Sequence, residues 1–212
     1  LDKFEENHGP GNYWQAPWAF PEWWWTPPDR PNPYNPETFN LIFAGRSAPK
    51  GRIPDLIRSV TADFPQIEVH IFSDVGKSAS KDPACAQVVA EYCKNPNVTF
   101  YGSWNHGTFL NYIYYADLAL DSGGVPTKIA NNCKIWDYLA MGTPVVVDNV
   151  AGGVELIEET GCGIVVRDGK YLDAIWQGLL TDFPRKSTRQ MMRQHTWEAT
   201  VSQWINRFKE VL

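Results

Sequence analysis

The sequence predicts an α/β fold: a Rossmann-like, doubly wound parallel sheet of about six strands with helices on both faces, preceded by a Pro/Trp-rich amino-terminal arm. Three observations carry this expectation. The runs NLIFAG, IEVHIFS, VTFYG, DLALD, PVVVD and GIVV have strand length, and several are apolar on both faces, as buried parallel strands are. Helical patterns with i, i+3, i+4 apolar spacing separate them. The alternation runs on from residue 39 without an internal repeat, and strand–helix–strand units of this kind wind right-handed into a single sheet.

The chain divides near residue 38. Residues 1–38 hold eight of the 16 prolines and five of the ten tryptophans, Trp14, Trp18, Trp23, Trp24 and Trp25. Proline at that density forbids helix interiors and favours extended chain. Five tryptophans are too much apolar surface for a disordered linker, so the segment reads as an extended arm packed on its own domain or on a neighbour, or as an interdomain linker. A sharper alternative makes it an aromatic platform for sugar rings or a partner.

Residues 39–212 form the second unit. After the first strand, Ile53, Leu56, Ile57, Val60 and Phe64 share one helical face, with Pro54 tolerated in the first turn. The second strand leads to a helix carrying Cys85, Val88, Val89 and Tyr92, and the third to one carrying Phe109, Leu110 and Ile113. A helix near residues 133–141 lies between the fourth and fifth strands, and Gly152-Gly153 opens the next. Beyond the sixth strand come a helix with Leu172, Ile175, Trp176 and Leu179, then a closing helix with Trp197, Val201, Trp204, Ile205 and Phe208.

Bulk properties narrow the function. A net charge of −5 with no basic run argues against nucleic acid as a partner. The four cysteines form no CxxC pair, and Cys85 and Cys93 stand about 12 Å apart along one helix, too far for a disulfide. They read as buried thiols in the reducing compartment of a cytoplasmic protein. No clustered carboxylates or metal-ligand spacing occur, so no obligatory metal or cofactor is expected. No signal-peptide pattern or apolar run of membrane-spanning length is present.

In a doubly wound sheet, ligands bind outside the carboxyl ends of the strands. The first strand ends in AGRSAPKGR, which gathers Arg46, Lys50 and Arg52 at that edge. The second ends in SDVGKSAS, whose GKS is not a P-loop because Ile71 stands where the motif needs glycine. The third ends in YGSWNHG and offers His106, a residue that also suits a plain helix start.

The helix near residues 133–141 is the most informative. Its periodicity puts Ile135, Trp136, Leu139 and Ala140 on one side and Lys134, Asp137, Tyr138 and Met141 on the other. Lys134 falls in the first turn, where the helix dipole disfavours a cation, so an anionic ligand there would explain it. Asp137, one turn on, can accept hydrogen bonds from a diol. Gly152 and Gly153 let backbone amides approach a second anionic group.

The stretch KIWDYLAMGTPVVVDNVAGGVELIEETGCGIVV resembles the signature of the nucleotide-sugar-binding, carboxy-terminal domain of GT-B glycosyltransferases of the group 1 type. FAGRSAPKGRIPDLI is similar to that family's first strand and basic turn, and HTWEATVSQWINRF to its closing helix. The resemblance implies a hexosyltransferase that binds a nucleoside-diphosphate sugar, a UDP-sugar above all. It places Arg46 and Lys50 at the diphosphate, Lys134 as a support of the nucleotide, Asp137 at the ribose hydroxyls and the amides of Gly152 and Gly153 at the phosphates. It also implies an amino-terminal acceptor domain, supplied by the same gene or a separate subunit, through which peripheral membrane association would run. Ile129 stands where retaining members carry glutamate, and the Arg-to-Lys spacing is short, so retention or inversion is left open.

Overall fold

The computed structural model describes residues 19, 21, 28–45, 52–79, 81–121, 133–149 and 153–211. Six parallel strands, β1 (Phe39–Ala44), β2 (Ile67–Phe72), β3 (Val98–Gly102), β4 (Leu118–Asp121), β5 (Val145–Asp148) and β6 (Gly163–Val166), pair in the order β3-β2-β1-β4-β5-β6. The order reverses between β1 and β4, which opens the crevice where such sheets take ligands.

Nine helices are described: α1 (Arg52–Asp63), α2 (Val75–Ala79), α3 (Pro83–Lys94), α4 (His106–Tyr115), α5 (Cys133–Ala140), α6 (Val154–Thr160), α7 (Tyr171–Leu180), α8 (Arg185–Met192) and α9 (Trp197–Val211). The alternation of strand side chains builds two cores. Ile42, Ala44, Phe72, Ala119, Val145 and Val147 pack towards α4, α5 and α6. Leu41, Phe43, Val69, Ile71, Leu120 and Val146 pack towards α1, α3 and α7.

Local chemistry sets the helix starts at the edge that matters. Asp82 accepts from the Ala84 N–H at 2.9 Å ahead of Pro83, and Asn105 accepts from the Thr108 N–H at 2.9 Å. Every helix that directly follows a strand thus begins at the carboxyl edge of the sheet and turns its free amides there. At the opposite edge, Arg185 donates to the carbonyls of Tyr114 (2.7 Å) and Ala116 (3.0 Å), satisfying the end of α4.

The five expected helical faces correspond to α1, α3, α4, α7 and α9, with two differences. Phe64 lies just past α1, where its ring stacks on Trp176 at 5.2 Å. Most apolar positions of α9 are not core: Trp197, Val201, Ile205 and Phe208 are between 43% and 63% exposed and Trp204 is half-buried, while Thr200 is buried. Two helices were not foreseen. The segment VGKSA folds as the short α2, and α8 is so polar that only Thr188 and Met192 are buried.

Residues 30–34 run along α4. The Tyr34 hydroxyl donates to the Tyr112 carbonyl at 2.8 Å, and the Tyr115 hydroxyl donates to the Arg30 carbonyl at 3.0 Å. The five tryptophans of the arm, on which the aromatic-platform reading rests, lie outside the described residues. All four cysteines are free thiols, but only Cys85 and Cys162 are buried as expected; Cys93 and Cys133 are exposed. Among the described residues no helix is long and apolar enough to cross a membrane.

The Tyr34 ring covers His70, a buried residue of β2, at 4.4 Å between centroids. Its Nε2 lies 3.2 Å from Asn40 Oδ1 and its Nδ1 3.2 Å from the Tyr101 hydroxyl. Asn40 Nδ2 donates to Asp117, so Oδ1 faces the ring as acceptor and the neutral imidazole carries its proton on Nε2. Burial pulls the His70 pKa down to about 4. Between pH 4 and 6.5 the unfolded chain takes a proton that the folded chain refuses, so this contribution is complete above pH 6.5 and lost as pH falls. Urea titrations should show wild type losing about 3 kcal/mol more than a His70→Gln variant as pH drops from 6.5 to 4.

Candidate active site

Asp121, the last residue of β4, is 1% exposed, and a carboxylate so deeply buried requires a cation. Lys134 provides it: Nζ lies 3.0 Å from Asp121 Oδ1 and 5.7 Å from the centroid of the Phe43 ring. The lysine was expected to be explained by a ligand anion. The structure supplies an anion of the protein's own, delivered by the neighbouring strand. An ammonium has three donors, so pairing with Asp121 leaves capacity towards a ligand oxygen, and the side chain stays 26% exposed.

Gly45, at the end of β1, makes room for this pair. Its φ of 135° is one that L side chains rarely adopt, and a Cβ there would stand 2.8 Å from Lys134 Nζ. Tyr138, one turn beyond Lys134, fixes α5 to the same strand end. Its hydroxyl is fully buried and accepts the Ala44 N–H at 2.9 Å. Helix α5 is therefore pinned to β4 by charge in its first turn and to β1 by a hydrogen bond in its second.

Asp137 is buried beside them, 5% exposed, and desolvation pushes its carboxyl up to about 8. Near neutrality it holds its proton, and such a carboxyl group can donate to a diol as well as accept from it. Both sides of α5 are buried, including the one that carries Asp137 and Tyr138: every residue from Ile135 to Ala140 is shielded from solvent.

Gly153 caps α6 with φ 100°, packed so that a Cβ would touch Ile135 Cγ2 at 3.4 Å. His106 opens α4 at the end of β3, and its side chain lies outside the described part. Arg46, Lys50 and Gly152 also lie outside the described residues, as does Ile129. Of the expected ligand residues, Lys134, Asp137 and Gly153 are brought to one edge of the sheet around α5.

Beside them a cleft of about 350 Å³ opens at the carboxyl ends of β1, β2 and β3, lined by Gly45, Phe72, Ser73, Gly102, Trp104 and Phe109. Trp104 forms its rim at 42% exposure, edge-on to Phe72 at 5.7 Å, with its indole N–H donating to the Tyr101 carbonyl at 2.7 Å. Trp104, Asp121 and Tyr138 were not picked out from the sequence as site residues. A signal existed for Asp121, since an aspartate closing the apolar run LAL is out of place unless a cation meets it.

If Gly45 is required by the lysine and by its own backbone, Gly45→Ala should cost about 1–3 kcal/mol in urea unfolding. An equal exchange at Gly107, whose added Cβ would meet only Asn105 Oδ1 at 3.9 Å, should cost less than Gly45→Ala.

No protein-family model matches the chain, and no curated protein matches it. Solved structures do. The chain is similar to a sucrose-phosphate synthase from Thermosynechococcus elongatus, with a TM-score of 0.70 and 19% identity, over 99% of this chain and 56% of that one. It is similar to a glycosyltransferase from Rickettsia africae, with a TM-score of 0.68 and 13% identity, over 92% and 56%. It is also similar to Anabaena HepE, solved in complex with UDP and glucose, with a TM-score of 0.62 and 18% identity, over 83% and 49%. The chain thus spans about half the length of the structures it matches. Six parallel strands in the order β3-β2-β1-β4-β5-β6, and the agreement with these three structures, identify the fold as that of the GT-B glycosyltransferases.

Proposed function

We propose that this chain is the donor-binding part of a glycosyltransferase and holds a nucleoside-diphosphate sugar at the carboxyl edge of its sheet. The observation that carries the reading is the ammonium of Lys134, presented over Gly45 beside a cleft with an aromatic rim. The nucleoside would occupy that cleft, with Trp104 and Phe72 beside the base and Asp137 at the ribose hydroxyls. HepE was solved with UDP and glucose, and on that likeness we take a UDP-sugar as the donor of this chain.

The Lys134–Asp121 pair is neutral as a unit, so it orients a phosphate oxygen more than it attracts one from a distance. Attraction falls to the helix amides that open at this edge and to Arg46 and Lys50, which the sequence carries at the same strand end. During transfer, charge grows on the leaving nucleotide as its bond to the sugar breaks. Donors already aimed at the diphosphate stabilise that charge without reorganising. Acceptor binding we assign to the portion of the matched structures that this chain does not span, in the same polypeptide or in a partner subunit.

Calorimetric titration with UDP, ADP and GDP tests the reading. Wild type should bind UDP best, and a Lys134→Met/Asp121→Asn variant, which leaves no buried charge unpaired, should bind it at least tenfold more weakly. No binding of any of the three at millimolar concentration, or equal binding by a folded variant, would remove the reading's support.

A further inference from the structure

We infer that Arg52 is a positioning residue for the donor edge: by holding Asp148 it fixes where β5 delivers the chain to α6. The inference rests on the donor-binding reading above. Asp148 is the last residue of β5 and is 4% exposed. Along β5, Val145 and Val147 face α4 and α5, whereas Val146 faces α1 and α7, so Asp148 projects to the latter side. It is therefore the counterpart of Asp121, one strand over and on the opposite face of the sheet.

Arg52 meets it from the first turn of α1, with Nη1 2.8 Å from Asp148 Oδ1. The same nitrogen donates to the Tyr171 hydroxyl at the start of α7, and the guanidinium lies over the Tyr171 ring, 4.9 Å from its centroid. One side chain thus joins the starts of two helices to the end of a third element. A guanidinium suits this task because its planar fork keeps its geometry while it stacks and donates.

The consequence for the site follows from chain length. Four residues separate Asp148 from Gly153, which caps α6 and packs on Ile135 of α5. The Asn149 N–H also donates to the Val166 carbonyl at 3.2 Å, so the departure from β5 is guided on its other flank. With Gly153 held by α5 and Asp148 held by Arg52, the amides that open α6 have a defined place relative to Lys134. A shift of Asp148 moves them, and no change at Lys134 or Asp137 is needed.

The test separates positioning from charge and from folding. Arg52→Met alone removes the cation that meets the buried Asp148 carboxylate and should lower stability in urea. Adding Asp148→Asn removes that carboxylate and restores the chain's net charge, so the double variant should recover most of the lost stability. Calorimetry should nevertheless find UDP bound at least tenfold more weakly by the double variant than by wild type. Arg52→Lys, which keeps the ion pair and loses the planar contact with Tyr171, should fall between them. A folded double variant with wild-type UDP affinity overturns the inference and leaves the donor-binding reading standing. A wild type that binds no nucleotide overturns both.

Discussion

The carboxylate of Asp121 is the constraint around which the ligand edge is arranged. It ends a strand that is buried on both faces, and solvent does not reach it. Lys134 must therefore be near, so α5 must begin where β4 ends and Gly45 must lack a side chain. Removing one partner of a buried ion pair costs about 3–5 kcal/mol. Tyr138 and the buried face of α5 then follow from where the lysine has placed the helix.

A related arrangement recurs one strand away. Asp148 is to β5 what Asp121 is to β4, and Arg52 answers it from the other face of the sheet. Two buried charges on adjacent strand ends, each met by a cation from a different helix layer, clamp both layers to the same edge. This gives the topological switch between β1 and β4 a rigid surround, while the cleft by Trp104 stays open to solvent.

Much of the fold was legible because apolar runs and helical spacing report burial directly. All six strands and the faces of α1, α3, α4 and α7 lie where the pattern put them. Legibility failed where burial is not apolar. Helix α8 is anchored by Arg185 on the carbonyls at the end of α4 and by Thr188 and Met192, a set with no amphipathic signature. In α9 the failure runs the other way: Trp197, Val201, Ile205 and Phe208 fit a helical face, yet they meet solvent. The site divides similarly. Lys134 could be found because a cation in a first helical turn is out of place, but its partner lies 13 residues back, and a pairing over that distance leaves no spacing rule. Arg52 read only as one more charge in a basic turn, since nothing local shows that it reaches Asp148 and Tyr171.

The central claim is that a nucleoside diphosphate binds at the carboxyl edge around α5, and mapping bound UDP by amide chemical shifts tests it most directly. Titration of the isotope-labelled chain should perturb the amides of Gly45, Ser73, Gly102, Lys134 and Gly153, and should leave Gly142 and Arg185 at the opposite edge in place. Perturbations centred on α8 and the amino-terminal ends of the strands, or none at saturating UDP, would contradict the account.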